Sequence, residues 1–198
     1  MIQLDILCIG FLERDEDGGL KEAHSTSTLI RADGRNIVVD TSTEYMWPVV
    51  KTSFRQIGIF PEDVDTVILT HTHSDHRGNL KRYPKAKVLV HKGGKSEIPG
   101  ARIIDADEYE VCPGVRMVHT PGHCTEETSV FIDADRRYVC AGDAIPLEDN
   151  LREGKPPALN TDRRLAMESM DRIREYADVI IPGHGAPFMV RRASRHKL

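Results

Sequence analysis

Short apolar, β-branched runs recur along the chain between turn residues: Ile2 to Ile9, Ser27 to Arg31, Asn36 to Asp40, Thr66 to Thr70, Lys87 to His91, Val115 to His119, Ser129 to Ile132, Tyr138 to Ala141 and Asp178 to Ile181. Their length and residue types predict strands. Asp33-Gly34 separates the second run from the third, and Asp135-Arg136 the seventh from the eighth, where tight hairpin turns belong. Much of the sheet structure is therefore expected to be antiparallel.

A period of three to four replaces the alternation in two places. Val50, Phe54 and Ile57 predict a helix over Trp47 to Ile57, and Leu165, Met170 and Ile173 predict another over Asp162 to Tyr176, with Thr161 or Asp162 as its cap. Pro61-Glu62-Asp63 reads as a short turn or helix start. Gly18-Gly19, flanked by Glu13, Asp15, Asp17, Lys21 and Glu22, marks a polar loop between the first two strands, either a flap or an exposed hairpin tip. Many strands with a few amphipathic helices imply helices laid on the outer faces of a sheet pair.

With 198 residues, 39% hydrophobic and 29% charged, the chain has room for one core and the composition of a globular protein. The expectation is one domain over residues 1–190, followed by a basic tail over 191–198 read as a solvated end. A spanning helix needs roughly 18 apolar residues in a row, and no stretch reaches that. The start MIQLDILCIG has no basic region before an apolar run, and Cys8, Cys112, Cys124 and Cys140 form no CxxC pair, so the reading is cytoplasmic with reduced thiols. The formal charge of −4 gives no general attraction for nucleic acid.

Chemistry enters where the fourth predicted strand runs into His71-Thr72-His73-Ser74-Asp75-His76. In extended backbone His71 and His73 point to the same side, so two imidazoles can share one ion. The chain must then turn, aided by Gly78, and Asp75 and His76 face a neighbouring position. Three more potential ligands follow predicted strands, each beside glycine: His123 in TPGHC, Asp143 in AGD and His184 in PGHG. His24, His91, His119 and His196 lack such context and are left outside the ligand set.

Asp40, HTHSDH at 71–76, His123, Asp143 and His184, in this order, resemble the motif series of the metallo-β-lactamase superfamily, and the likeness spans nearly the whole chain. The stretch from TPGHC through AGD to ADVIIPGHGAPF is especially similar to the small single-domain metallo-β-lactamase-domain-containing type 1 proteins. The resemblance implies a mixed α/β, four-layer αββα sandwich with a binuclear metal site at one edge. It would place His71, His73 and His123 on one ion, Asp75, His76 and His184 on the other, Asp143 between them, and Asp40 behind the ligand loop. Familiar β-lactamases have cysteine where this chain has Asp143, and flavodiiron proteins have glutamate where it has His73.

Nitrogen and oxygen donors without thiolate suit zinc, and also iron or manganese. Two ions about 3.5 to 4 Å apart would acidify a bridging water to a hydroxide nucleophile and bind the oxyanion. Asp75 would carry the proton. The leading expectation is a metal-dependent hydrolase acting on a small ester, thioester or lactone. The alternatives are a phosphodiesterase or ribonuclease of the same fold and a mononuclear-iron sulfur dioxygenase. Cys124 is read as packing rather than as a nucleophile. Substrate choice is assigned to Phe11 to His24, Thr43 to Trp47 and Ile145 to Asn160, with Tyr45 and Trp47 favoured as the start of a helix's apolar face and Lys155 as a solvated lysine.

Overall fold

A computed structural model describes residues 1–94 and 98–191. The expected basic tail, apart from Arg191, lies outside the described residues. The chain runs β1 (Gln3–Cys8), β2 (Phe11–Arg14), β3 (Leu20–His24), β4 (Ser27–Ala32), β5 (Arg35–Val39), α1 (Trp47–Ile57), β6 (Thr66–Ile68), α2 (Ser74–Arg77), β7 (Lys87–His91) and β8 (Arg102–Ile104). It continues through β9 (Glu108–Cys112), β10 (Val115–His119), β11 (Thr128–Asp133), β12 (Arg137–Gly142), α3 (Glu148–Glu153), α4 (Arg163–Tyr176), β13 (Val179–Pro182) and β14 (Phe188–Met189).

Two six-stranded sheets result, ordered β1-β4-β5-β6-β7-β8 and β14-β13-β12-β11-β10-β9, with β2 and β3 paired apart from both. The hairpins are antiparallel as expected, whereas β5 through β8 are mutually parallel and β12 pairs parallel with β13. Parallel neighbours need crossovers, and α1 and α4 supply two of them. At the β4–β5 turn both Asp33 (φ 51°) and Gly34 (φ 70°) are left-handed, the twist that a two-residue hairpin favours.

Each sheet is apolar on both faces. Ile30, Ile37, Val39 and Ile68 point inward to meet Val115, Met117, Val130, Ile132 and Ile181 of the opposite sheet. Their strand neighbours Leu29, Val38 and Val67 point outward, where Val50 and Phe54 of α1 cover them. On the far side Val118, Phe131, Val139 and Ile180 lie under Met170 and Ile173 of α4. These three apolar layers make the αββα sandwich that was expected, each large side chain so buried being worth about 1.5–3 kcal/mol. The predicted bounds of α1 hold, Gly58 (φ 72°) ends it, and Asp162 caps α4 by accepting from the Leu165 N–H at 2.9 Å.

The polar loop between the first two predicted strands is itself the β2–β3 hairpin, with Asp15–Gly19 as its turn. Tyr45 lies before α1 and is 55% exposed, so it does not begin the apolar face as expected; its hydroxyl donates to Glu22 instead. Trp47, the first residue of α1, does pack with that core. Among the described residues no helix is long and apolar enough to cross a membrane.

Candidate metal centre

The ligand candidates gather along one edge of the sandwich, where strands from both sheets end. In the first sheet the chain leaves the ladder just past β6, where the Thr70 N–H and hydroxyl both donate to Asp40, at 2.8 Å each. Asp40 sits just past β5 in a left-handed conformation (φ 54°) that aspartate tolerates and most residues do not. The buried carboxylate thereby pins the start of the histidine segment. It also accepts from Nδ1 of His76 at 2.8 Å.

The second sheet delivers the remaining candidates from loops. His123 follows β10, Asp143 follows β12 and His184 follows β13. Glycine beside these candidates is a steric requirement, as two of the positions show. A Cβ on Gly122 would collide with the backbone of Ala166 in α4, and one on Gly183 would collide with the Asp143 carboxylate.

His71 Nε2 stands 3.0 Å from His73 Nδ1, which stands 3.1 Å from His123 Nε2. A tetrahedral ion with metal–nitrogen bonds of about 2.0–2.1 Å holds its donors roughly 3.3 Å apart, so this spacing fits one. His76 Nε2 lies 3.8 Å and His184 Nε2 3.6 Å from Asp75 Oδ2, forming a second group. Asp143 reaches both: its Oδ2 is 3.5 Å from His123 Nε2, and its Oδ1 is 3.1 Å from His184 Nε2 and 3.5 Å from His76 Nε2. All the sequence-predicted ligands are thus brought together.

The outer ring nitrogens explain why the inner ones converge. His123 Nδ1 donates to the Leu159 carbonyl at 2.8 Å and His184 Nδ1 to the His24 carbonyl at 3.0 Å. His71 Nδ1 lies 3.2 Å from Glu127 Oε2. With Nδ1 used outward, Nε2 keeps its lone pair for the centre. Glu127 is fully buried and also accepts the Asp143 N–H at 3.1 Å, so one carboxylate steadies a candidate from each sheet. Sequence reading missed it, since its only signal is a glutamate just before an apolar strand.

Electrostatics points the same way. Burial, with His76 close by, pushes His71 well below the usual histidine range, and burial with His123 beside it lowers His73, so both are neutral and able to ligate. Burial alone would lower His76 and raise Asp143. Instead Asp40 and Asp143 drive His76 well above its ordinary value, and His184 and His76 hold Asp143 well below. The carboxylates demand positive charge between them. Two buried atoms that face this space, His76 Nε2 and Asp143 Oδ1, have no hydrogen-bond partner. Such orphans are costly unless something else satisfies them, and a divalent cation fits the donor set.

His24, His91 and His119 stay out, as expected, and His196 lies outside the described residues. The His24 ring meets Tyr45 Oη at 3.0 Å, and His91 stacks on His119 with centroids 3.9 Å apart. Cys124 groups with His123 and Glu127, but burial and the neighbouring carboxylates hold its thiol protonated, which disfavours ligation.

The metallo-β-lactamase superfamily model matches residues 20–101. A protein named "Probable metallo-hydrolase" from Methanocaldococcus jannaschii is 36% identical over 186 residues, spanning 92% of this chain and 87% of that one. The chain belongs to the metallo-β-lactamase superfamily. Metallo-beta-lactamase domain-containing protein 1 of Xenopus laevis is 34% identical, spanning 89% of this chain and 77% of its own length. Among solved structures, an N-acyl homoserine lactone hydrolase with the product N-hexanoyl-L-homoserine at its catalytic metal center has the same fold, with a TM-score of 0.74 at 21% identity and 92% of each chain covered.

In this superfamily member a cavity of about 150 Å³ opens over the candidate centre. Its floor is His73, Asp75, His123, Asp143 and His184. Leu12 and Leu20 of the β2–β3 hairpin wall one side, and Pro146, Leu147 and Leu159 the other. Two of the three loops assigned to substrate choice therefore line it. Thr43 to Trp47 does not, and Lys155 pairs with Glu153 in solvent.

Proposed function

We propose that this superfamily member is a binuclear metal-dependent hydrolase acting on a small ester, thioester or lactone. The observation that carries the binuclear reading is Asp143, which divides its two oxygens between the His71-His73-His123 group and the Asp75-His76-His184 group. Two divalent cations, most suitably zinc, would supply an acidified water and a counter-charge for the developing oxyanion. His71, His73 and His123 would hold one ion, Asp75, His76 and His184 the other, and Asp143 both. Asp75, its side chain 21% exposed on the cavity floor, would take up the proton lost by the attacking water and pass it to the leaving group.

The cavity supports an acyl substrate over a phosphodiester. Its walls are mostly aliphatic, and Arg14 is the single cationic side chain among its lining residues, whereas a nucleic-acid groove tracks the backbone with many. The four cysteines are free and buried, which supports a reducing, cytoplasmic setting.

Parallel assays of the metal-loaded protein on activated esters, thioesters and lactones and on structured RNA test this reading, with Asp75→Asn as the control. Acyl hydrolysis that collapses in the variant is expected. Ribonuclease activity that vanishes in Asp75→Asn, alongside no acyl hydrolysis by the parent, would overturn it.

A further inference from the structure

The β2–β3 hairpin does more than roof the cavity. In a regular ladder Arg14 would face Lys21, setting two cations opposite each other. Leu12 pairs with Ala23 in that ladder, but a bulge after Glu13 changes the register and sets Arg14 opposite Leu20. Those four side chains all line the cavity. Lys21, left over by the bulge, turns to Glu13 instead and forms an ion pair at 2.7 Å.

Arg14 sits in an acidic neighbourhood and yet is not neutralised by it. Asp15 turns one carboxylate oxygen to the Asp17 and Gly19 N–H groups of the turn. Among the described residues no carboxylate lies within ion-pairing distance of Arg14. A single bond, from Nη1 to the Gly18 carbonyl at 2.9 Å, holds the guanidinium and leaves most of its donors free. A half-buried arginine that lines a cavity with aliphatic walls and has no carboxylate partner of its own is a poor structural element and a good anion receptor.

We propose that Arg14 is the anion-recognition residue of this site, and that the substrate is a short acyl compound with a carboxylate remote from the bond to be hydrolysed. This rests on the acyl-hydrolase reading above. Size limits the substrate, because about 150 Å³ is below the usual range for drug-sized ligands, roughly 300–1,000 Å³. Charge fits as well: one guanidinium balances one carboxylate. The planar fork also matches a carboxylate through two parallel bonds.

The test is calorimetric binding of succinate, glutarate and adipate to the metal-loaded protein, with butyrate as reference. Each has one carboxylate for the metals, and only the diacids have a second for Arg14. At least one diacid is expected to bind about tenfold tighter than butyrate, the effect of one charge-assisted contact. Arg14→Met should bring diacids and butyrate to one affinity at unchanged metal content, and Arg14→Lys should recover part of the difference. Diacids no tighter than butyrate, or a preference that survives in Arg14→Met, overturns the proposal. Ester assays separate the two readings. Diacid selectivity without any acyl hydrolysis sinks the hydrolase reading and leaves the receptor standing. Acyl hydrolysis whose preference for an ω-carboxylated ester over its neutral counterpart is absent, or persists in Arg14→Met, sinks the receptor alone.

Discussion

The floor of the cavity and its rim are built by opposite means. On the floor and directly beneath it His71, His76, His123 and His184 are buried, and each spends its outer ring nitrogen on a fixed partner: Glu127, Asp40, the Leu159 carbonyl and the His24 carbonyl. The rim is the β2–β3 hairpin and the segment between β12 and α4. Phe11, Leu20 and Leu159 stand exposed there, and the hairpin pairs with neither large sheet. Donor geometry on the floor must hold to tenths of an ångström for metal chemistry, and the packing of two sheets enforces it. The rim only has to shape a small volume, so its residues are free to set selectivity without disturbing the chemistry.

Breaking the floor should have the largest effect. Asp143→Ala is expected to lose both ions and all metal-dependent hydrolysis, while Cys124→Ala keeps its metal, as read by elemental analysis of the two folded variants. Equal losses would mean that the thiol is a ligand after all. A smaller effect is expected one layer out. Asp40→Asn leaves every proposed ligand in place but weakens the bond that orients His76, so chelator competition should show metal affinity lower by about 10- to 100-fold. An unchanged affinity would show that the floor does not depend on its supports.

On the rim, Leu12→Ala should raise KM for aliphatic esters roughly tenfold with metal content unchanged. A variant that instead lost metal would erase the distinction between floor and rim. The smallest effect concerns a histidine of the same edge that joins neither group. Burial, with His119 and Lys92 nearby, lowers His91 to about 4 from 6.5. The unfolded chain therefore binds a proton that the folded chain refuses between these values, and stability falls as pH drops through that window. His91→Phe keeps a ring against His119 and should show a shallower loss in urea unfolding of the chelator-treated protein from pH 6.5 to 4. Identical slopes would remove His91 from the acid response.

The same contrast governs what could be read from sequence. Strands such as β7 and β10, and helices α1 and α4, bury one or both faces, and that burial writes a period into the chain. The strands that went unseen bury little. β2 and β3 are mostly polar, β8 and β14 are sheet edges, β9 alternates Glu108 and Glu110 outward, and α3 buries nothing. Candidate ligands were legible because metal chemistry admits few residue types and glycine flanks them. Glu127 and the two carbonyl acceptors were not, since a buried acid looks like any other in sequence and a carbonyl carries no signature. Arg14 stayed hidden behind the register of a hairpin, where one bulge decides which side chains face the cavity.

We propose that the floor is one centre for two ions, joined by Asp143. Titrating the metal-free protein with zinc, manganese or iron and counting bound ions per chain by elemental analysis tests it most directly. Saturation at two per chain is predicted, and a ratio that stays at one with every metal would contradict the account.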